Sequence, residues 1–88
     1  MAKLNVEIVT PSAKVFTGEA YMVTVPGLAG SLGFLPGHVG LVTPLAKGTI
    51  SVSNTDKSDD ASAKHFNIEG GYVELFNDNV VVLAEHVE

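Results

Sequence analysis

The sequence predicts an all-β fold: an antiparallel β-sandwich or flattened barrel of two sheets, with about 8–10 short strands and no substantial helix. Three observations carry this expectation. Apolar and polar residues alternate with period 2 in several short runs, as where Leu4, Val6 and Ile8 are interleaved with Asn5 and Glu7, the pattern of a strand buried on one face. Clusters of glycine, proline and asparagine recur roughly every 8–12 residues, the turn spacing of sandwiches. No stretch repeats its apolar residues at the helical period.

The first strand covers residues 4–8 and is ended by Thr10-Pro11-Ser12. From Lys14 to Val25 the strand formers Val15, Phe16, Tyr21, Val23 and Val25 continue; Gly18 interrupts them and predicts a bulge or a bend between sheets. Pro26-Gly27 then stops the run. Residues 30–45 are too dense in glycine and proline for a helix, yet Leu32, Phe34, Leu35, Val39, Leu41, Val42 and Leu45 make them too apolar for an ordinary solvated loop. Two short bent strands around a Pro36-Gly37 turn fit both properties, and the glycines allow a second backbone to approach, so this stretch is a candidate contact surface.

Residues 49–53 alternate again. Residues 54–62, Asn-Thr-Asp-Lys-Ser-Asp-Asp-Ala-Ser, hold no large apolar side chain and read as a polar hairpin tip before the strand that begins at Phe66 and Ile68. Gly70-Gly71 marks a bulge or very tight turn ahead of Tyr72 to Phe76. Asn77-Asp78-Asn79 closes a hairpin into residues 80–84, because Asn and Asp tolerate left-handed backbone.

Composition narrows the function. At 88 residues the chain is a single domain, 1–88, and no cysteine is present to staple it, so packing or a partner must hold it. The net charge is −5, and the cations are five scattered lysines with no arginine. This excludes the basic stripe of a nucleic-acid binder and attraction to an anionic lipid surface. No apolar run reaches membrane-spanning or signal-peptide length, so direct membrane insertion is not expected. His38, His65 and His86 have no partners at a spacing that a metal site or acid-base pair requires. Asp56, Asp59 and Asp60 lack the glycine and closing glutamate of a calcium loop. The Gly27, Gly30, Gly33 run precedes no helix that would bind a phosphate. No cofactor is expected.

Phe16-x-Gly18-Glu19, then Pro26-Gly27-x-x-Gly30-x-Leu32-Gly33-x-Leu35-x-Gly37-His38-x-x-Leu41-x-Thr43, then Gly70-Gly71-x-Val73-Glu74 and Asn79-Val80-x-Val82-Leu83-Ala84 closely resemble the N-terminal domain of the epsilon subunit of F-type ATP synthases, in order and over essentially the whole chain. The resemblance implies a β-sandwich at the foot of the rotating central stalk. There it binds the gamma subunit and rests on the c-ring, helping to couple proton flow to ATP synthesis while doing no chemistry itself. By motif position, the resemblance puts Gly30, Ser31 and Leu32 on the c-ring side and His38, Val39, Leu41 and Thr43 on the gamma side. Two positions depart from it: Ser31, where many members are acidic, and Gly40, where many have proline.

The usual member continues into a helical hairpin that inhibits ATP hydrolysis. This chain stops at Glu88, so the expectation is a sandwich without the hairpin and without that inhibition. The implied location is peripheral, on the cytoplasmic face of a bacterial inner membrane, with the stromal face of a thylakoid as the alternative. A reading from a different class is a stand-alone β-sandwich that binds a ligand or protein through the 54–62 tip; it requires an enclosed cavity.

Overall fold

The computed structural model describes residues 3–37, 40–54 and 63–87. It contains nine strands and, among those residues, no helix: β1 (Leu4–Thr10), β2 (Ala13–Ala20), β3 (Met22–Gly27), β4 (Gly30–Phe34), β5 (Leu41–Leu45), β6 (Gly48–Ser53), β7 (Lys64–Ile68), β8 (Gly71–Phe76) and β9 (Asn79–Ala84). The all-β expectation holds. Most of the polar tip read at residues 54–62 lies outside the described residues.

The strands form one hydrogen-bonded sheet in the order β2-β1-β9-β8-β5-β3-β6-β7, with β4 attached to β3. The sheet curls into a half-barrel because its middle is barely joined. β3 and β5 share a single register pair, Gly27 with Leu45, reinforced by the Ala46 amide donating to the Pro26 carbonyl at 2.7 Å. On either side of this corner lie two layers, β2-β1-β9-β8-β5 and β4-β3-β6-β7, which face one another as the two sheets of a sandwich do.

Alternation decides what lies between the layers. Leu4, Val6 and Ile8 of β1, Val80 and Val82 of β9, and Val73 and Leu75 of β8 point inward from one layer. Val23 and Val25 of β3, Phe34 of β4, Ile50 and Val52 of β6, and Ile68 of β7 meet them from the other. Burying such side chains supplies the main driving force for folding, about 1.5–3 kcal/mol for each. The two outermost strands, β2 and β7, are not hydrogen-bonded to each other; they meet through the Phe16 and Phe66 rings, whose centroids are 5.4 Å apart and whose planes are tilted by 53°, a favourable aromatic geometry. Past β9, the Glu85 amide reaches the Gly70 carbonyl at 3.2 Å, and Val87 forms a bridge to Ile68 on the free side of β7.

Some local expectations are corrected. Gly18 does not interrupt its strand: it lies within β2 opposite Val6, and the register shifts instead between the Ile8–Phe16 and Val9–Lys14 pairs, which makes Val15 of β2 the extra, bulged residue. The absent side chain makes room for the Phe16 ring, whose Cζ would lie 3.0 Å from a Cβ at position 18. The chain instead passes between layers at Tyr21, whose amide donates to the Ser53 carbonyl at 2.9 Å. β3 runs through Pro26-Gly27 and turns at Leu28 and Ala29. Pairing is antiparallel throughout except for β1 with β9, which are parallel; the β8–β9 hairpin delivers β9 in the same direction as β1.

Gly70-Gly71 moves the chain from one layer to the other. Gly71 has φ +139°, and a Cβ there would lie 2.0 Å from the Leu83 carbonyl oxygen; Gly70 has φ +131° but its nearest neighbour would be 3.7 Å away. Gly71→Ala is therefore expected to cost about 3 kcal/mol or more, from strain and collision together, lowering Tm by roughly 10–20 °C in a domain of this size. Gly70→Ala meets only the backbone term and costs less. Thermal melts of the two variants check this; equal losses would contradict it.

Candidate docking interface

Pairing registers assign every strand of the first layer an inner and an outer row. On β5, Leu41 pairs with Leu75 and Thr43 with Val73, both of which are buried core residues. Leu41 and Thr43 are accordingly half-buried, Leu41 packing against the core. The outward positions of β5 are Val42 and Pro44, paired with Glu74 and Tyr72 of β8, which continue to Val81 and Leu83 of β9. Gly40 lies beside β8 as well: a Cβ there would be 3.4 Å from the Phe76 ring.

The outer face of β5, β8 and β9 is consequently apolar where a lone soluble sheet would be polar. Val42 is 67% exposed, Phe76 63%, Tyr72 57% and Leu83 44%. Glu74 lies among them as the one charged residue of these paired rows on the three strands. Contiguous exposed apolar surface of this kind marks an interaction site more often than scattered single residues do.

The described candidate residues occupy two places. Gly30, Ser31 and Leu32 lie on β4 in the second layer, with Gly30 and Ser31 exposed and Leu32 half-buried against the core. The exposed Leu28, at 69%, precedes them in the β3–β4 turn. Leu41 and Thr43 lie on β5 in the first layer, and the corner residue Gly27 pairs with both Gly30 and Leu45. His38 and Val39 lie outside the described residues. The apolar outer residues Val42, Tyr72, Phe76 and Leu83 were not singled out as contacts from sequence. A signal for the first of them was available: between Glu19 and Lys47 the chain carries no Asp, Glu, Lys or Arg, so the surface of β3 to β5 has neutral chemistry.

Elsewhere the surface offers little chemistry. Ser51 Oγ and His65 Nδ1 are 3.0 Å apart across the β6–β7 pair. Among the described residues no carboxylate orients this imidazole, so the contact is a cross-strand hydrogen bond of the kind that stabilises sheets. Two clefts, of ≈ 230 and ≈ 270 Å³, open to solvent, the first beside Glu7, Glu19 and Asn79 and the second beside Lys47, Thr49 and Asn67; neither is the enclosed cavity that the stand-alone ligand-binding reading requires. Among the described residues, no group of three His, Asp or Glu side chains is placed to hold a metal ion, and no helix is long and apolar enough to cross a membrane.

Residues 3–88 match the family described as the β-sandwich domain of the ATP synthase delta/epsilon chain. Similar proteins include the ATP synthase epsilon chain of Moorella thermoacetica, 39% identical over 88 residues, an alignment that takes in 100% of this chain and 63% of that protein. The ATP synthase epsilon chain of Caulobacter vibrioides is 37% identical over 86 residues, 98% of this chain and 94% of that protein. Among solved structures, a chain of the Euglena gracilis mitochondrial ATP synthase OSCP/F1/c-ring assembly superposes with a TM-score of 0.86 at 18% identity, covering 100% of this chain and 54% of that one. A chain of the Tetrahymena thermophila mitochondrial ATP synthase central stalk and c-ring gives 0.76 at 17%, covering 98% and 66%. At these identities the structural likeness is one of fold.

The inner and outer rows of β5 respond differently to charge. Leu41→Asp places a carboxylate against the core and is expected to cost about 1–3 kcal/mol, whereas Val42→Asp, on the outer row, changes stability by no more than about 0.5 kcal/mol. Urea denaturation of both variants measures the difference; equal costs would show that the rows are misassigned.

Proposed function

The chain belongs to the family of the ATP synthase delta/epsilon chain β-sandwich domain, and on that premise we propose that it is a non-catalytic central-stalk subunit of an F-type proton-translocating ATP synthase. In this role it binds the gamma subunit and the c-ring and helps couple proton flow to ATP synthesis. The observation that carries the reading beyond family membership is the apolar outer face of β5, β8 and β9. A solitary domain has no use for Val42, Tyr72, Phe76 and Leu83 in water, whereas a subunit that must stay attached to a turning shaft does.

The proposed gamma contact is His38, Val39, Leu41 and Thr43, of which Leu41 and Thr43 keep only part of their surface exposed, together with the outward-facing Val42 and Phe76. The c-ring contact is assigned to Gly30, Ser31 and Leu32. Because Leu41, Val42 and Thr43 lie on β5 in the first layer and Gly30, Ser31 and Leu32 on β4 in the second, a body of this size has separate surfaces for two partners. The proposed location is peripheral, on the cytoplasmic face of a bacterial inner membrane, with the stromal face of a thylakoid as the alternative.

Binding of the chain to an isolated gamma subunit tests the proposal. Wild type is expected to bind with a micromolar or tighter Kd, and the Val42→Asp, Phe76→Asp double variant to bind at least about tenfold more weakly, because each carboxylate must be desolvated in an apolar contact. Lys14→Ala, on the outer face of the edge strand β2, is expected to leave Kd unchanged. Failure of the wild-type chain to bind would overturn the reading.

A further inference from the structure

The turn joining β8 to β9 is left-handed at both central residues, with φ +49° at Asn77 and +63° at Asp78. This is the backbone of a two-residue hairpin turn that follows the twist of its strands, and Asn and Asp are the non-glycine residues that adopt it most readily. The turn is tied down on several sides. Asn79 Nδ2 donates to the Asn77 carbonyl at 3.2 Å, Asn5 Nδ2 donates to Asn79 Oδ1 at 3.3 Å, and the Asn5 amide donates to the Asp78 carbonyl at 2.8 Å.

One group reaches away from this knot. Asp78 Oδ1 accepts the amide N–H of Gly37 at 2.8 Å, between residues 41 positions apart in the chain. The hairpin is closed by its own register from Phe76–Asn79 to Gly71–Ala84, so the bond is not needed to set the pairing of β8 with β9. Its effect falls on the Pro36–Gly37 turn, where Gly37 itself has φ +87°. A backbone amide on a carboxylate is among the stronger hydrogen bonds available to a protein. Gly37 directly precedes His38 in the chain, and Gly40 lies against Leu75 and Phe76 of β8.

We infer that Asp78 is a positioning residue: its carboxylate holds the Pro36–Gly37 turn against the β8–β9 hairpin and so fixes that turn before the gamma subunit docks on the β5–β8 side. The inference rests on the proposed gamma contact, and it adds a residue outside the segment assigned to that contact. A surface held in its bound form loses less conformational entropy on association.

The test uses the full chain, an isolated gamma subunit and two variants. Asp78→Gly keeps the left-handed backbone at no steric cost but removes the acceptor; Asp78→Asn keeps both the backbone preference and an acceptor oxygen. Amide hydrogen exchange at Gly37, followed by NMR, is expected to speed up about tenfold or more in Asp78→Gly, and Kd for gamma to rise about tenfold, the scale of one charge-assisted hydrogen bond. Asp78→Asn is expected to bring both readouts to within about twofold of wild type, with Tm showing that both variants are folded. Unchanged Gly37 protection in Asp78→Gly would overturn the inference, as would a freed Gly37 amide with wild-type affinity. Absence of binding by the wild-type chain would instead overturn the proposed function, and this inference with it.

Discussion

A sheet of nine strands can enclose a core only by folding over on itself, and in this chain the fold-over is concentrated where β3 and β5 share a single register pair. The rest follows from that corner. A continuous ladder there would flatten the sheet and leave both faces wet. With the ladder reduced to Gly27–Leu45 and the Ala46–Pro26 bond, the two layers swing together and strand alternation decides most of which side chains enter the core. The open side is closed by side chains, Phe16 against Phe66, and by Val87 at the free side of β7. A chain with no cysteine has no covalent alternative.

The same alternation separates holding the fold together from meeting a partner. On β5, Leu41 and Leu45 serve the interior while Val42 and Pro44 face outward, so neighbouring residues are constrained by different demands. The interior row tolerates little change in volume. The outer row is limited only by what docks on it, and here its chemistry is neutral and apolar with Glu74 set among it.

Much of the architecture was legible in the sequence, because period-2 alternation in β1, β6 and β8 and the Asn-Asp turn before β9 are local signals that tertiary context did not override. What was not legible depended on distant residues. Gly18 reads as a break, yet the space it leaves is filled by the ring of Phe16 two positions away on the same strand, and the actual crossing at Tyr21 depends on Ser53. Leu41 and Thr43 were assigned as contacts from motif position, and only the register with β8 shows that they belong to the inner row. Tyr72, Phe76 and Leu83 read as strand formers, and nothing in their own segments says which face is left uncovered. The resemblance carried by the glycine pattern in residues 26–43 reached the family directly, which composition and periodicity could not have done.

The parallel pairing of β1 with β9 gives the chain an order of assembly. β1 is made before the other described strands, and its place is between β2 and β9, the last of them. During synthesis the β1–β2 hairpin can form at once, but one of its edges stays uncovered until residues 79–83 have emerged to pair with it. Closure of so long a loop is slow compared with forming a hairpin, and an unsatisfied strand edge invites foreign strands while it waits. The first layer therefore cannot be completed until β9 has been made, and a ribosome that stalls before it leaves a product whose β1 has no neighbour on one side.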